Sequence, residues 1–342
     1  MDRAREPGRG ARILLIRLSA LGDVVFALEA LASLKKDRPD LFVDFLVEDR
    51  FASLLDGHPQ IERLLVFPRR QKGGIPSCLR ELRRTAYDAV LDFHGILKSA
   101  FFVLAARSSR KVGYEKPGSR EGARAFYGVR VPMPDRLPHR ADMGYSLLRA
   151  IGLSGERAAP VLALPALERD PFEGMPHPRV VLHPGTSPFA RFKRWPLERY
   201  SELARRLIAR GYSVAVGTGP GEAEAGKRIA ASAPGIAMLD GQAMGLRGYA
   251  AALARADLVV AADTGPLHLA AASGVRCVAL YGPKDVARYG PRSHDGREHE
   301  VLFAEVPCRP CSLRDCPSPQ CVLGIGVGEV ERAVIRATEV PA

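Results

Sequence analysis

Short apolar runs alternate with longer segments of helical periodicity through the first half of the chain. The predicted strands cover 12–17, 41–47, 61–67 and 89–93. The predicted helices, in which apolar residues recur near every 3.6 positions, cover 21–36, 79–85 and 96–106. Strands that alternate with helices in this way are typical of a doubly wound parallel sheet. The first half is therefore predicted to be an α/β domain.

The second half repeats this pattern after a stretch rich in Pro and Gly at 152–178, which we interpret as an interdomain linker. Its predicted strands cover 179–183, 212–216, 258–262 and 277–280. Its predicted helices cover 196–210, 264–274 and 328–338, with a further helix directly after the turn at 217–222. A chain of 342 residues is longer than one core usually serves. We therefore predict two α/β domains, 1–165 and 166–326.

The turn after the strand at 258–262 carries candidate chemistry. Asp263, Thr264 and Gly265 place a carboxylate, a hydroxyl and free backbone N–H groups at the start of a helix of small residues. A helix N-terminus attracts phosphate. In open α/β sheets, ligands bind at the carboxyl ends of the strands. The segment predicts a nucleotide-phosphate or sugar-nucleotide site in the second half.

Two further turns of the second half fit the same site. Thr186 and Ser187 follow the strand at 179–183 and are followed by Lys193 and other cations, a composition that suits a diphosphate, although an ordinary surface loop remains open. Glu222 ends a Gly-rich turn and could bind ribose hydroxyls or simply cap a helix. The glycine spacing of that turn is not that of a dinucleotide fingerprint, which disfavours a Rossmann dehydrogenase.

In the first half, Asp23 lies in the first turn of the helix after the first strand, where a carboxylate could act as a general base toward a bound hydroxyl. Spacing alone favours the simpler interpretation, a favourable acid at a helix start. His94 directly follows the strand at 89–93, and Lys98 comes one helical turn later. Both are expected at the same edge of the sheet, with a structural role for His94 as the alternative.

Four cysteines, Cys308, Cys311, Cys316 and Cys321, lie within 14 residues. In a protein of a reducing compartment this spacing suggests a tetrathiolate zinc site or another metal site. A reduced structural loop and local disulfides remain open. The other two cysteines, Cys78 and Cys277, are interpreted as isolated apolar residues.

The net charge of +12 is concentrated in residues 1–165, which carry 28 Lys and Arg against 19 Asp and Glu, with one basic cluster at 69–72. An excess of positive charge of this kind attracts nucleic acid, anionic lipid surfaces or acidic glycans. The alternative is that these charged side chains are simply solvated. No interleaving of aromatic and basic residues marks a nucleic-acid platform, so no nucleic acid is expected. No apolar run has the length of a membrane span or the form of a signal peptide, so a cytoplasmic location is expected.

With these residues in view, the chain from about 13 to 335 resembles glycosyltransferase family nine, the heptosyltransferases of bacterial lipopolysaccharide assembly. The segments that carry the resemblance are 16–24 (IRLSALGDV), 92–99 (DFHGILKS), 183–185 (HPG), 193–196 (KRWP) and 263–269 (DTGPLHL). Each is weak alone, and their order and spacing together are specific. The cysteine run and Pro184-Gly185 depart from the first-heptosyltransferase pattern and resemble the second-heptosyltransferase branch.

The resemblance implies a GT-B fold, in which two Rossmann-like domains face a central cleft and the last helix, 327–342, crosses back toward the first domain. The second domain would bind an ADP-heptose donor, and the first domain a lipid-linked core oligosaccharide (lipid A with Kdo) at the anionic inner face of the inner membrane. Transfer would invert the anomeric centre and require no cofactor, so a metal at the cysteines would be structural. The alternatives are another sugar nucleotide or glycan acceptor, or a non-catalytic nucleotide-binding protein.

The resemblance also implies roles for single residues. Asp23 would be the base, and Lys193 would contact the donor diphosphate. The donor side would be formed by Thr186, Ser187, Glu222, Asp263, Thr264, Gly265 and His268. The acceptor side would be formed by Ser19, Gly22, His94 and Lys98.

Overall fold

The computed structural model describes residues 6–339 except 70, 72, 312 and 314. The chain divides after Ala163 into two compact units, and this boundary falls inside the predicted linker. The described chain between Ala150 and Arg179 contains no strand or helix. Two basic residues of the cluster at 69–72, Arg70 and Lys72, lie outside the described residues.

The first unit is a parallel six-stranded sheet in the order β3-β2-β1-β4-β5-β6. Its strands are β1 (Arg12–Ile16), β2 (Phe42–Glu48), β3 (Arg63–Phe67), β4 (Ala89–Asp92), β5 (Lys111–Tyr114) and β6 (Val129–Val131). Its helices are α1 (Leu21–Asp37), α2 (Asp49–Leu55), α3 (Gly74–Arg83), α4 (Leu97–Ala105) and α5 (Arg140–Ala150), with a 3-10 turn at Ala123–Phe126. The central strand β1 is almost entirely apolar and buried, as expected for a strand covered by helices on both faces.

The second unit has the same architecture, with strand order β12-β11-β10-β7-β8-β9. Its strands are β7 (Arg179–His183), β8 (Ser213–Thr218), β9 (Ala237–Asp240), β10 (Leu258–Ala262), β11 (Arg276–Leu280) and β12 (Glu300–Leu302). Its helices are α6 (Leu197–Ala209), α7 (Ala223–Ala230), α8 (Gly241–Leu253), α9 (Gly265–Ala272), α10 (Val286–Tyr289), α11 (Gln320–Leu323) and α12 (Val327–Glu339), with a 3-10 segment at Pro188–Lys193. In both units the order reverses beside the first strand, which places ligands at the carboxyl edge there.

The last helix begins at Val327, as predicted. Its buried residues Val330 and Val334 belong to the same core as Leu203 and Leu207 of α6. Glu331 forms ion pairs with two arginines of α6. The helix therefore packs on the second unit, and its predicted return to the first domain stays a prediction.

Among the described residues, no helix is both long enough and apolar enough to cross a bilayer.

Candidate active site

Two arginines converge on Asp23 in the first unit. Asp23 lies in the first turn of α1, directly after the loop that follows β1. Arg140, the first residue of α5, donates from Nε to Asp23 Oδ1 at 3.0 Å. Arg17 forms an ion pair with the other carboxylate oxygen. The side chain of Asp23 is 24 % exposed, so it keeps access to a ligand while both of its oxygens are bound.

These contacts fix the charge of the carboxylate. Burial alone would raise the pKa of Asp23, but the charges of Arg17 and Arg140 outweigh it and hold that pKa well below its usual range. Burial lowers the pKa of Arg17 to about 10, so its guanidinium remains charged at neutral pH. Arg17 also donates to the carbonyl of Phe93 at 2.5 Å, which ties the ends of β1 and β4 together. Asp23 is therefore an ionised acceptor of hydrogen bonds.

The turn after β4 brings His94 beside Asp23. Asp92, fully buried, accepts hydrogen bonds from the backbone N–H of His94 at 2.9 Å and of Gly95 at 3.2 Å. Gly95 has a φ of +73°, a conformation that few residues other than glycine adopt. Burial lowers the pKa of His94 to about 2, which keeps the ring neutral, and Asp23 acts in the opposite direction. Its buried Nδ1 has no hydrogen-bond partner among the described residues.

The remaining acceptor-side residues lie at the same edge. Ser19 and Gly22 are half-buried in the loop between β1 and α1 and at the start of that helix. Lys98 extends from the first turn of α4 to Glu48 at the end of β2, with Nζ 2.5 Å from the carboxylate. Strand β1 lies between β2 and β4 in the sheet, so the contact from Lys98, which follows β4, to Glu48 on β2 passes across the end of β1.

In the second unit, Lys193 and Asp263 form an ion pair of 2.5 Å between Nζ and Oδ2. Lys193 ends the 3-10 segment after β7, and Asp263 follows the adjacent strand β10. His268 Nε2 lies 3.6 Å from the other oxygen of Asp263. Burial alone would raise the pKa of Asp263, but the hydrogen bond from His268 and the charge of Lys193 outweigh it and lower that pKa.

Helix α9 begins beside this ion pair. Thr264 is its N-cap residue in extended conformation, and its hydroxyl donates to the carbonyl of Ala262 at 3.1 Å rather than capping the helix. Gly265 is the first helical residue, followed by Pro266. The first N–H groups of the helix therefore keep their capacity to bind an anion.

Glu222 joins the turns after β7 and β8. Its carboxylate accepts hydrogen bonds from the backbone N–H of Gly219 at 2.7 Å and of Thr186. An added Cβ at Gly185 would lie 1.9 Å from Oε2, so any larger residue there would displace the carboxylate. Burial raises the pKa of Glu222, and the backbone N–H groups act in the opposite direction. Thr186 is buried and its Oγ1 accepts from Arg194 Nε at 2.9 Å, whereas Ser187 is exposed.

Four residues of these sites were not predicted from the sequence: Arg17, Arg140, Tyr281 and Lys284. Arg17 is the last residue of a predicted strand and directly follows the observed β1, a signal that was available. Arg140 is separated from Asp23 by 117 positions, so only the fold brings them together. Lys284 follows the Gly-Pro turn after β11, and its pKa is lowered by burial and by the charge of Lys193, with Asp263 acting in the opposite direction. The hydroxyl of Tyr281 donates to the carbonyl of Tyr289 at 2.5 Å, and this tyrosine lies beside Asp263.

The cysteine segment gathers in one place. All four of its cysteines line a single cavity of about 280 Å³ beside the loop that follows β11. Cys321 is buried and Cys308 exposed, and all four are free thiols. Among the described residues, no group of three or more His, Cys, Asp or Glu side chains is arranged to hold a metal ion. The predicted tetrathiolate site stays a prediction. Cys78 and Cys277 are buried, as predicted.

The predicted residues thus lie in two groups, one in each unit. Asp23 and His94 meet at the carboxyl edge of the first sheet, and Lys98 lies at the same edge with Glu48. In the second unit, Lys193, Asp263 and His268 form one cluster and Thr186 and Glu222 another. The strands that lead to them, β10, β7 and β8, are neighbours in that sheet.

Comparison with known proteins finds relatives that align over most of the chain. The chain is 32% identical over 328 residues to lipopolysaccharide heptosyltransferase 1 of Pseudomonas aeruginosa, an alignment that covers 89% of this chain and 87% of that protein. It is 27% identical over 319 residues to lipopolysaccharide heptosyltransferase 2 of Salmonella typhimurium, covering 84% and 87%. These identities do not confirm the predicted closeness to the second-heptosyltransferase branch.

The structure of Escherichia coli heptosyltransferase WaaC with ADP superposes with a TM-score of 0.76 at 25% identity, covering 95% of this chain and 99% of that one. Escherichia coli ADP-heptose lipopolysaccharide heptosyltransferase II gives a TM-score of 0.75 at 21% identity, covering 96% and 98%. The predicted GT-B class is confirmed. Residues 75–321 match the profile of glycosyltransferase family 9 (heptosyltransferase). The chain belongs to this family and is a glycosyltransferase.

Proposed function

We propose that this enzyme transfers heptose from ADP-heptose to the inner core of lipopolysaccharide, on a lipid A–Kdo acceptor, with inversion at the anomeric carbon. The observation that carries the proposal is the buried cluster of Lys193, Asp263 and His268 at the start of α9, in a chain 32% identical to a lipopolysaccharide heptosyltransferase 1. A relative of known structure binds ADP on the same fold. The acceptor and its linkage are inferred from the names of the relatives.

The second unit supplies the leaving-group site. When the bond between the anomeric carbon and the diphosphate oxygen breaks, negative charge develops on ADP. Lys193, Lys284 and the first N–H groups of α9 are positioned to stabilise that charge. Asp263 holds Lys193 in place and, together with Thr264, Gly265 and His268, borders the sugar. Glu222, with Thr186 and Ser187, would bind the ribose side of the nucleotide.

The first unit supplies the acceptor site. The acceptor oxygen attacks the anomeric carbon, its proton passes to Asp23, and ADP leaves from the opposite face. A carboxylate held ionised by two arginines is a weak base, so it cannot remove the proton before the attack. The proton becomes acidic only as the new bond forms, and its transfer to Asp23 is therefore late. The neutral His94, with its free Nδ1, would orient the acceptor hydroxyl alongside Ser19, Gly22 and Lys98.

In this mechanism cations and N–H dipoles counter the charge of the leaving diphosphate, so the transfer step requires no metal. The cysteine cluster is placed outside the chemistry, and its role as a structural metal site finds no support in the geometry of the described residues. We place the enzyme in the cytoplasm, peripherally on the inner face of the inner membrane where such an acceptor is anchored.

A thermal-shift screen of ADP-, UDP- and GDP-sugars tests the donor assignment. A ligand that binds only the native state raises the melting temperature, and at equal concentration a tighter ligand raises it more. The expected result is a shift with ADP-heptose and ADP that is lost in Lys193→Ala. The control Lys227→Ala changes an exposed lysine of α7 and should leave the shift intact. Stabilisation by a UDP- or GDP-sugar instead would replace the donor and favour a related glycosyltransferase.

A further inference from the structure

An apolar groove on the first unit is not used by the proposed chemistry. It lies between α3 and α4, has a volume of about 370 Å³, and is lined by Ile75 and Leu79 of α3 and by Phe101 and Leu104 of α4. Ile75, Phe101 and Leu104 are 54, 54 and 58 % exposed. Large apolar side chains that are exposed together mark an interaction surface rather than chance exposure.

The exposed apolar residues follow the helical period. Phe101 and Leu104 are three positions apart on one face of α4, while Ala100, Phe102 and Val103 on the other faces are buried. The ring of Phe101 also packs against the ring of Phe126, with centroids 6.1 Å apart. The backbone of α4 thus holds two apolar side chains outward on a firmly packed helix.

Two arginines lie at the same groove. Arg83, at the end of α3, lines it, and Arg107 just after α4 donates to the carbonyl of Arg83 at 3.5 Å. Both arginines are exposed, and neither forms a salt bridge with any residue in the described part of the chain. Helix α4 carries no acidic residue, and the one acid of α3, Glu81, is paired with Arg63 and Arg84. The surface therefore combines apolar side chains with unneutralised positive charge.

We propose that this groove docks the enzyme on a bilayer leaflet that contains anionic lipids. Apolar side chains enter the interface between head groups and acyl chains, and arginines bind the phosphates above them. Lys98, assigned to the acceptor side, also lines this groove. Docking would therefore bring the sugar of a lipid-linked acceptor to the edge of the sheet that carries Asp23. This inference rests on the proposed function, which supplies the reason for an enzyme of this kind to bind a membrane.

Flotation with vesicles tests the docking without any acceptor present. The wild type is expected to float with vesicles of phosphatidylglycerol and phosphatidylethanolamine and not with phosphatidylcholine alone. Phe101→Ser/Leu104→Ser should weaken binding by about a hundredfold, from roughly tenfold per side chain. Arg83→Ala/Arg107→Ala should weaken it about twenty-five-fold, from roughly fivefold per charge, and mainly at low salt. The control Met238→Ser removes an exposed apolar residue of the second unit and should bind as the wild type does.

Transfer to a deacylated, water-soluble acceptor separates this inference from the proposed function. Both double variants should retain wild-type turnover with that acceptor while losing vesicle binding. Unchanged flotation of both double variants would overturn the docking surface and leave the function standing. Variants that become monomeric from a wild-type dimer, with unchanged flotation, would assign the groove to a second copy of the chain instead.

Discussion

Arg140 donates a hydrogen bond from Nε to Oδ1 of Asp23 at 3.0 Å, across 117 positions of the chain. Together with Arg17 it keeps the pKa of Asp23 below its usual range, against the effect of burial. In the mechanism proposed above, the arginines would therefore set the timing of proton transfer, because they make the carboxylate a good acceptor of hydrogen bonds and a poor base.

Replacing the carboxylate should separate catalysis from donor binding. Asp23→Ala is expected to lower kcat by about 10² to 10⁴, the usual contribution of a general base. The dissociation constant of ADP, measured by calorimetry, should change less than about twofold, since ADP is assigned to the second unit. A parallel loss of ADP affinity would mean that Asp23 is structural or belongs to the donor site.

Removing one of the two arginines should alter the pH dependence of turnover. In Arg140→Gln the carboxylate loses one positive neighbour, so the pKa of Asp23 rises. Activity that falls with decreasing pH as Asp23 is protonated should then begin its decline at a higher pH than in the wild type. The kcat profile, followed from pH 8 down to the lowest pH at which both proteins remain folded, measures this difference. Superimposable acidic limbs in the two proteins would show that the pair does not control the proton acceptor.

The carboxyl-edge residues of both sheets could be predicted because they directly follow strongly apolar strands. Asp23, His94 and Asp263 each come within a few positions of a buried strand, and the edge of a parallel sheet collects such residues. Arg140 could not be predicted in this way, because it begins α5 and no local pattern links it to α1. Lys284 was missed for a similar reason, since only the packing of the loop after β11 brings it to Lys193 and Asp263.

Several elements were not predicted from the sequence because they are short or exposed, or because their apolar residues show only weak periodicity. Strand β6 has three residues, two of them exposed, so its pattern gives little apolar signal. Helix α8 is rich in Ala and Gly and contains a non-helical residue, Gly245, which weakens its periodicity. Such elements are held by neighbouring strands and helices rather than by their own sequence preferences.

The two lysines near Asp263 should contribute to different extents. Lys193→Ala is expected to lower kcat/KM by about a hundredfold or more, because it also leaves the buried Asp263 without its cation. Lys284→Ala should weaken ADP binding by about tenfold, since one half-buried charge near the diphosphate is lost. Steady-state kinetics and ADP titration measure both effects. Wild-type values in Lys284→Ala would exclude this residue from the donor site.

The buried His183 makes stability depend on pH. Burial lowers its pKa to about 4, and its Nδ1 lies 2.8 Å from the hydroxyl of Tyr249. In the unfolded chain His183 takes up a proton near pH 6.5, whereas in the folded protein it stays neutral to a much lower pH. The free energy of unfolding is therefore highest above pH 6.5 and decreases as the pH falls toward 4. The loss amounts to about 3 kcal/mol. His183→Asn should therefore lose about 3 kcal/mol less stability than the wild type between pH 7 and pH 4.

Trp195 reports this unfolding specifically, because it is the single tryptophan of the chain and is buried in the second unit. Urea titrations followed by its fluorescence give the two free energies of unfolding. His294→Asn, at an exposed histidine, is the matched control and should follow the wild type. Equal acid destabilisation in the wild type and His183→Asn would show that His183 does not carry the effect.

Heptose transfer can be measured in an assay with the purified enzyme, ADP-heptose and a lipid A–Kdo acceptor, read by the mass of the acceptor. The acceptor is expected to gain one heptose with release of equimolar ADP, and UDP- and GDP-sugars are expected to give no product. Transfer from a UDP- or GDP-sugar with none from ADP-heptose would show that the enzyme is not an ADP-heptose-dependent heptosyltransferase.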